Sequence, residues 1–333
     1  MNRLNLKDLQ RLALHCGYRT DTHKPSRLKA IQESGQFFDG ILAVRTPKQP
    51  FNVLSVDVGI KNFSYSKVSY TGTKADIKEW SVLNLHDAYG TPDYAHEDTL
   101  VDSKAYMAKL SLSVVDNILI SKSWVPNIIT IENQRTRSTS NKATLPNVLL
   151  NYTLEHMLYA AFLARQTTIS DIKKTIVVPM SSNKMVNFWM SRYTSMIHPF
   201  TPSKSKTCRR TMLFSWLKQP DISPFDMPDF INKFPSNFPK MGPNLSNNAL
   251  KSVLGITRQQ TKVDDLVDSL LYNITISRQI SHHLEMKKFI EGDDKDAILE
   301  LLEQWDKEHI SFMDALLQSR PDVCLAKEYE KFG

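Results

Sequence analysis

The sequence predicts an α/β fold: a mixed five-stranded sheet flanked by helices. Three observations carry this. Three β-rich runs come first, at 52–58, 62–70 and 76–83. Helical spacing and short apolar runs then alternate, which is the order of a mixed α/β sheet. The stretch Asn127-Ile-Ile-Thr-Ile-Glu132 is also apolar almost without a break, as in a central parallel strand covered on both faces.

Residues 4–34 read as two short helices. Leu6, Leu9, Leu12, Ala13 and Cys16 make one apolar face, Leu28 and Ile31 belong to the second, and Gly17-Tyr18 closes the first helix. Lys24, Arg27 and Lys29 open the second. The segment resembles a SAP-type helix–extended loop–helix module, which binds DNA backbone in other proteins. The glycine usual before the lysine of that motif is absent, and a plain helical hairpin packed on the main domain is the competing reading. Arg3, Lys7, Arg11 and Arg19 also fall on the helical pattern of an organellar presequence, in which Asp8 would be unusual. Residues 35–50 read as a linker.

Phe51–Val58 has strand composition and ends at Asp57-Val-Gly59, where the glycine lets the chain turn back into 62–70. Thr71-Gly72-Thr73 turns it again. Residues 84–99 read as polar and irregular, 103–120 as a helix, 145–165 as a helix with a core stripe, 172–180 as a strand, and 181–192 as a capped helix. Residues 198–211 are Pro-, Ser- and Lys-rich and read as a mobile run before a helix at 209–217. The proline-rich 219–250 reads as an irregular excursion. Strong helical spacing returns at 263–280 and 297–317.

The composition sets bounds. With 333 residues and 41% hydrophobic content the chain has enough material for a packed core. A net charge of +7 and a pI of about 9.1 suit a polyanionic partner. Cys16, Cys208 and Cys324 are too far apart in sequence for a disulfide framework or a zinc pattern, so a reducing compartment is expected. No apolar run approaches the ~20 residues of a membrane span.

The chemistry resides in carboxylates. Asp57 sits mid-sheet, where a buried charge is costly without a cation or hydrogen bonds. Glu132 ends a strand, where ligands bind in open α/β sheets. Asp264, Asp265 and Asp268 follow on one helix, three and four residues apart, so pairs of them share a face. First-turn acids also favour the helix dipole, which accounts for Asp264 and Asp265 better than for Asp268. Together these hard oxygens suit Mg²⁺ or Mn²⁺, which promote phosphodiester hydrolysis in pairs ~4 Å apart.

Three segments carry a specific resemblance: Val56-Asp57-Val58-Gly59-Ile60-Lys61-Asn62-Phe63, Ile131-Glu132-Asn133-Gln134-Arg135-Thr136-Arg137, and Lys262-Val263-Asp264-Asp265-Leu266-Val267-Asp268-Ser269. They resemble the fungal mitochondrial Holliday-junction resolvases, the cruciform-cutting relatives of bacterial RuvC. The likeness spans most of residues 50–285. It implies a ribonuclease H-like fold, mitochondrial localisation, and a Mg²⁺-dependent homodimer that cuts four-way DNA in two symmetric places. It implies a SAP-like module at 1–40, a nuclease domain at 50–285 and a helical extension at 286–333. By the same resemblance Asp57, Glu132, Asp268 and one or both of Asp264 and Asp265 hold metal and are catalytic, with Asp265 favoured. Lys206 is expected near the scissile phosphate, with Lys184 as a weaker candidate. Lys61, Asn62, Gln134, Arg135, Arg137, Lys204, Arg209 and Arg210 are further expected DNA contacts, together with Lys24, Arg27 and Lys29. Asn133 departs from the arginine usual in relatives. The helix at 145–165 and the region 270–290 are candidate dimer surfaces. A non-catalytic DNA-binding protein is one competing reading. An actin- or sugar-kinase-type ATPase is another, but it would need a second Gly-rich phosphate loop, which the sequence lacks.

Overall fold

The computed structural model describes residues 1, 3–45, 49–72, 74–90, 104–121, 123–134, 146–190, 201–226, 232–256, 262–290 and 294–319. β1 (Phe51–Asp57), β2 (Phe63–Thr71) and β3 (Lys74–Leu83) are consecutive antiparallel neighbours. β4 (Ile128–Glu132) pairs parallel with β1, and β5 (Ile176–Met180) pairs parallel with β4, so the order is β3-β2-β1-β4-β5. This is the mixed five-stranded sheet expected from the sequence.

Alternation along the strands feeds two cores. Leu54, Val56, Ile129 and Ile131 face α3 (Leu85–Tyr89), α4 (Lys104–Val114, continued by a π-helical turn at Val115–Leu119) and α5 (Pro146–Thr168). Val53, Val68 and Ile128 join the opposite core. That core is built on the long helix α9 (Val263–Ile290), with α1 (Leu6–Cys16), α2 (Lys24–Ala43), α6 (Ser182–Met190), α7 (Pro202–Lys218), α8 (Pro243–Val253) and α10 (Lys295–Ser319) around it.

The structure departs from the sequence reading in four places. α2 runs through the expected linker to Ala43, because Phe38 and Ile41 are buried against the core. α7 begins at Pro202 rather than at 209: Thr201 caps it and Pro202 occupies the first turn, so the lysine-rich run is helical. α8 is an ordered helix inside the supposed irregular excursion. The short α3 forms after Asn84, whose side chain caps it.

The N-terminal hairpin has no core of its own. Leu9, Leu12, Cys16 and Ile31 are buried in the α9 core. Arg11 of the presequence-like face pairs with Asp306 of α10 at 2.6 Å, and His15 Nε2 meets the same carboxylate at 2.8 Å. Most of α9 between 270 and 290 is likewise inside the chain, with Leu270, Leu271, Ile274 and Met286 buried. Within that stretch Ser281, Leu284, Lys287 and Lys288 remain exposed.

A polar seam holds α9 on the sheet. Ser64 Oγ donates to Asp265 O at 2.5 Å, Ser66 Oγ to Ser269 O at 3.0 Å, and Trp80 Nε1 to Leu266 O at 2.9 Å. Asn273, fully buried, donates Nδ2 to Val53 O at 2.8 Å and to Ser66 O at 3.1 Å, and its Oδ1 accepts from the Tyr70 hydroxyl at 2.8 Å. Removing that side chain deletes three hydrogen bonds of the seam, each worth roughly 0.5–1.5 kcal/mol. We expect Asn273→Ala to lower the unfolding free energy by about 3 kcal/mol or more in urea melts. Wild-type stability in that variant would show that the seam is not a source of stability.

Candidate functional site

The site is built by register. In the parallel β1–β4 ladder Val56 stands opposite Ile131, which brings the next residues, Asp57 and Glu132, to the same sheet end. Asp57 also pairs with Ser64 on β2, and Ser64 holds the first turn of α9 through Asp265 O. Two strand acids and the acids of one helix face are thereby driven together.

The loop after β1 forms one wall of the cleft. A Cβ on Gly59 would lie 3.0 Å from the Asn62 carbonyl, so close approach, not a positive φ, demands glycine here. Ile60 N donates to Asn151 Oδ1 of α5 at 3.3 Å and Ile60 O accepts from Leu85 N at 2.9 Å, which pins the loop. The resulting cleft of about 390 Å³ is lined by Asp57, Lys61, Asn62, Glu132, Asp265 and Lys262, among others.

The electrostatics show how close the acids are. Burial, then Glu132, then Asp265 and Asp268 raise the Asp57 carboxyl well above the ordinary carboxylate range. Asp57 and Glu132 face each other closely enough to share a proton. Burial pushes Asp265 up to about 7, with Lys262 and Lys206 opposing and Asp268 adding to the rise. Burial also raises Asp268, against the pull of Arg209. Arg209 on α7 holds Asp268 in a two-pronged pair, Nε–Oδ1 at 2.7 Å and Nη2–Oδ2 at 2.9 Å, and donates Nη1 to Ser205 Oγ at 2.5 Å.

Asp264 is not in this cluster. One residue of helix turns it about 100° from Asp265, into a separate groove with Arg210 and α8. Lys206 is exposed and does not line the cleft, but its charge bears on both Asp265 and Asp268. Lys61 and Asn62 line the cleft. Gln134 donates Nε2 to Glu132 Oε2 at 2.8 Å, while its backbone N–H donates to Glu155 at 2.8 Å. Arg135 and Arg137 lie outside the described residues. Lys204 is exposed in the first turn of α7. Lys184 lies apart, exposed at a groove it shares with Arg19. Lys24 and Lys29 sit on α2, and Arg27 donates to Asp21 O at 2.6 Å and Leu6 O at 2.7 Å, bracing the hairpin itself.

Tyr272, His86, Asn151 and Lys262 are additions that sequence reading missed. Tyr272 had a signal: it follows Asp268 by four residues and Asp265 by seven, so one α9 face carries all three. Its buried hydroxyl faces Glu132, Asp57 and Asp268, yet makes no hydrogen bond of ordinary geometry. Arg209 as the partner of Asp268 had no local signal.

Does the donor set fit a divalent cation? Among the described residues no three acidic, His or Cys side chains stand together as a ready-made metal-binding group. The chemistry nonetheless fits. Burial, with the nearby acids, raises the carboxyls of Asp57, Asp265 and Asp268, and the Tyr272 hydroxyl stands beside them without a partner.

With this geometry in place, comparison with known proteins is decisive. Residues 53–286, well over half of the chain, match the family described as mitochondrial resolvase Ydc2 / RNA splicing MRS1. The chain belongs to this family. It is 34% identical over 143 residues to cruciform cutting endonuclease 1, mitochondrial, of Schizosaccharomyces pombe, covering 42% of this chain and 53% of that protein. It is 23% identical over 188 residues to the protein of the same name from Saccharomyces cerevisiae, covering 54% and 52%. The match thus spans about half the length of these relatives. The crystal structure of the yeast mitochondrial Holliday junction resolvase Ydc2 superposes with a TM-score of 0.54 at 22% identity, over 87% of this chain and 100% of that one. This establishes the shared fold.

The crowded acids also set a pH dependence. Because Asp265 titrates near 7 in the folded chain and near 3.8 otherwise, the native state holds the extra proton between those values. Stability in EDTA should therefore be highest at the acid end of this window and fall as pH rises through about 7. Asp57→Asn should raise the neutral-pH Tm in EDTA and flatten this slope. A Tm rising from pH 5 to pH 8 without metal would contradict the clustering.

Proposed function

We propose that the chain is a structure-selective endonuclease that resolves four-way DNA junctions by metal-dependent phosphodiester hydrolysis in mitochondrial DNA recombination and segregation. Asp57, Glu132 and Asp265 on one cleft, with Asp268 near enough for its charge to bear on Asp57, carry this reading. The family and the names of the two relatives support it. An acid cluster floored by a sheet and rimmed by Lys61, Lys206 and Lys262 suits a phosphodiester, whose charge the rim attracts and the floor repels until cations are bound.

Asp57, Glu132, Asp265 and Asp268 would hold Mg²⁺, or Mn²⁺ in its place. When bound there, such ions supply charge to the phosphodiester oxygens and lower the pKa of water. The chain's own groups do the rest. Gln134 fixes the Glu132 carboxylate through its Nε2. Lys206 stands on α7 to steer the scissile phosphate toward the acids. Lys61 and Asn62 contact the backbone of the cut strand from the pinned loop. Arg209 neutralises Asp268 and keeps it on the cleft side of α9. Arg135, Arg137, Lys184, Lys204 and Arg210, with Lys24 and Lys29 of the SAP-like hairpin, belong to the wider DNA surface.

The test is a synthetic four-way junction. Wild type should make paired nicks only with Mg²⁺ or Mn²⁺, and Asp57→Asn should cut at least about a thousandfold more slowly while binding the junction at least as well. Robust cutting by Asp57→Asn would overturn the assignment. A wild type that binds but never cuts with any divalent ion would favour the non-catalytic reading.

Two symmetric cuts need two sites in fixed relation, and α5 supports a homodimer. Leu149, Tyr152, His156 and Leu163 lie on the face away from the buried Leu154, Leu158 and Phe162. Leu149 and Leu163 are 45% and 52% exposed, unusual for leucines in one row. The double variant Leu149→Glu/Leu163→Glu should sediment as a monomer and convert paired cuts to single nicks. A dimer of unchanged strength would exclude this face.

A further inference from the structure

The helix absent from the sequence reading, α8, presents asparagines and a lysine that the junction-cutting reading does not use. Asn244, Asn247, Asn248 and Lys251 follow one another at spacings of three, one and three, which places all four on one side. They line an open groove of about 420 Å³ with Arg210, Lys262 and Asp264. Three cations thus stand against one carboxylate. Asn244 and Asn248 are exposed and Asn247 is half-buried. The Asn247 Oδ1 atom is buried and has no hydrogen-bond partner, an acceptor left waiting for a donor.

The groove adjoins the carboxylate cleft. Lys262 lines both, and Asp264 and Asp265 face the two sides of the same helical turn. A chain-like polyanion engaged at the acid cluster therefore meets the α8 groove next.

We propose that this α8 face is a second nucleic-acid contact, which takes the DNA strand as it leaves the cleft. Arg210, Lys251 and Lys262 face its phosphates, and the asparagine carboxamides pair with its base edges. Carboxamides suit bases because each offers a donor and an acceptor side by side. The carboxamides a strand can reach are those of the exposed Asn244 and Asn248. The openness of the groove suits an extended strand rather than a small ligand, which would be enclosed. The inference rests on the junction-cutting reading for the identity of the strand.

The experiment measures binding of the full chain to a fluorescent four-way DNA junction in EDTA, by anisotropy across a salt series. Asn248→Asp keeps the shape of an exposed side chain and adds a repelling charge; Lys251→Glu removes a cation. Lys307→Glu, exposed on α10 away from the groove, controls for net charge. We expect Asn248→Asp and Lys251→Glu each to weaken binding by about tenfold or more, with Lys251→Glu lowering the salt slope by about one. Lys307→Glu should stay within about twofold of wild type. Circular dichroism melts check folding. If the groove variants bind like Lys307→Glu, the proposal is overturned. It is equally overturned if they lose affinity for a single-stranded RNA of the same sequence but keep it for the junction. Failure of the nuclease reading looks different: wild type would bind the junction and leave it uncut, with the α8 effect intact.

Discussion

The attachment of α9 to the β1–β2 hairpin is the contact on which the site depends. Strand register alone brings Asp57 and Glu132 together, because adjacent parallel strands end at one level. The helical acids have no such guarantee. They are placed by side chains that reach up from the sheet to backbone carbonyls of α9: Ser64 to Asp265, Trp80 to Leu266 and Ser66 to Ser269. Carbonyls inside a helix already accept one bond, so these are second acceptor contacts, and they fix the helix axially as well as laterally. A slide of one residue would rotate α9 by about 100° and exchange Asp265 for Asp264 in the cleft. Small serines on β2 and the fully buried Asn273 are what prevent that slide.

The same arrangement is electrostatically expensive. Desolvated carboxylates with too few cations raise one another toward neutrality, and the fold bears that cost where chemistry needs the charge. Only Asp268 is compensated by a full ion pair, with Arg209. That pair is nearly buried, so its net contribution to stability is small compared with the cost of leaving Asp268 alone. Its consequence is directional: the guanidinium fork fixes the Asp268 side chain in one rotamer on the cleft face, and Ser205 fixes the fork.

Much of this was legible in sequence, and what was not has definite physical causes. Phe51–Val58 and 127–132 declared themselves through β-branched composition, and the acids at their ends through position. The α9 stripe, Val263 to Ile274, declared its helix, and spacing placed Asp265 and Asp268 on one face. The choice between Asp264 and Asp265 required the rotation of that helix about its own axis, which only the β2 contacts define. α2 outruns the linker reading of 35–50 because Phe38 and Ile41 fasten it to the core, and it tolerates Gly35 and Gly40 in its interior. α7 and α8 were hidden by prolines, which at Pro202 and Pro243 sit in first turns, where they favour helix rather than end it. The Arg209–Asp268 pair joins residues 59 apart in sequence, and no local pattern encodes a contact of that range.

The distribution of cations follows from the acidic floor. Phosphates approaching four carboxylates are repelled, and a pinned basic rim is the remedy that does not neutralise the acids themselves. Lys61 on the β1 loop, Lys206 on α7 and Lys262 at the foot of α9 surround the cluster from three elements, and each is exposed rather than folded into it. Exposed lysines keep their charge and act at a distance, whereas the one cation that enters the cluster, Arg209, is spent on a single carboxylate. In the proposed reading, binding and chemistry thus fall to different residues around one cleft. Because Lys262 also borders the α8 groove, the rim does not close around the acids but continues from them, and the protein surface there has a direction along which a strand is led.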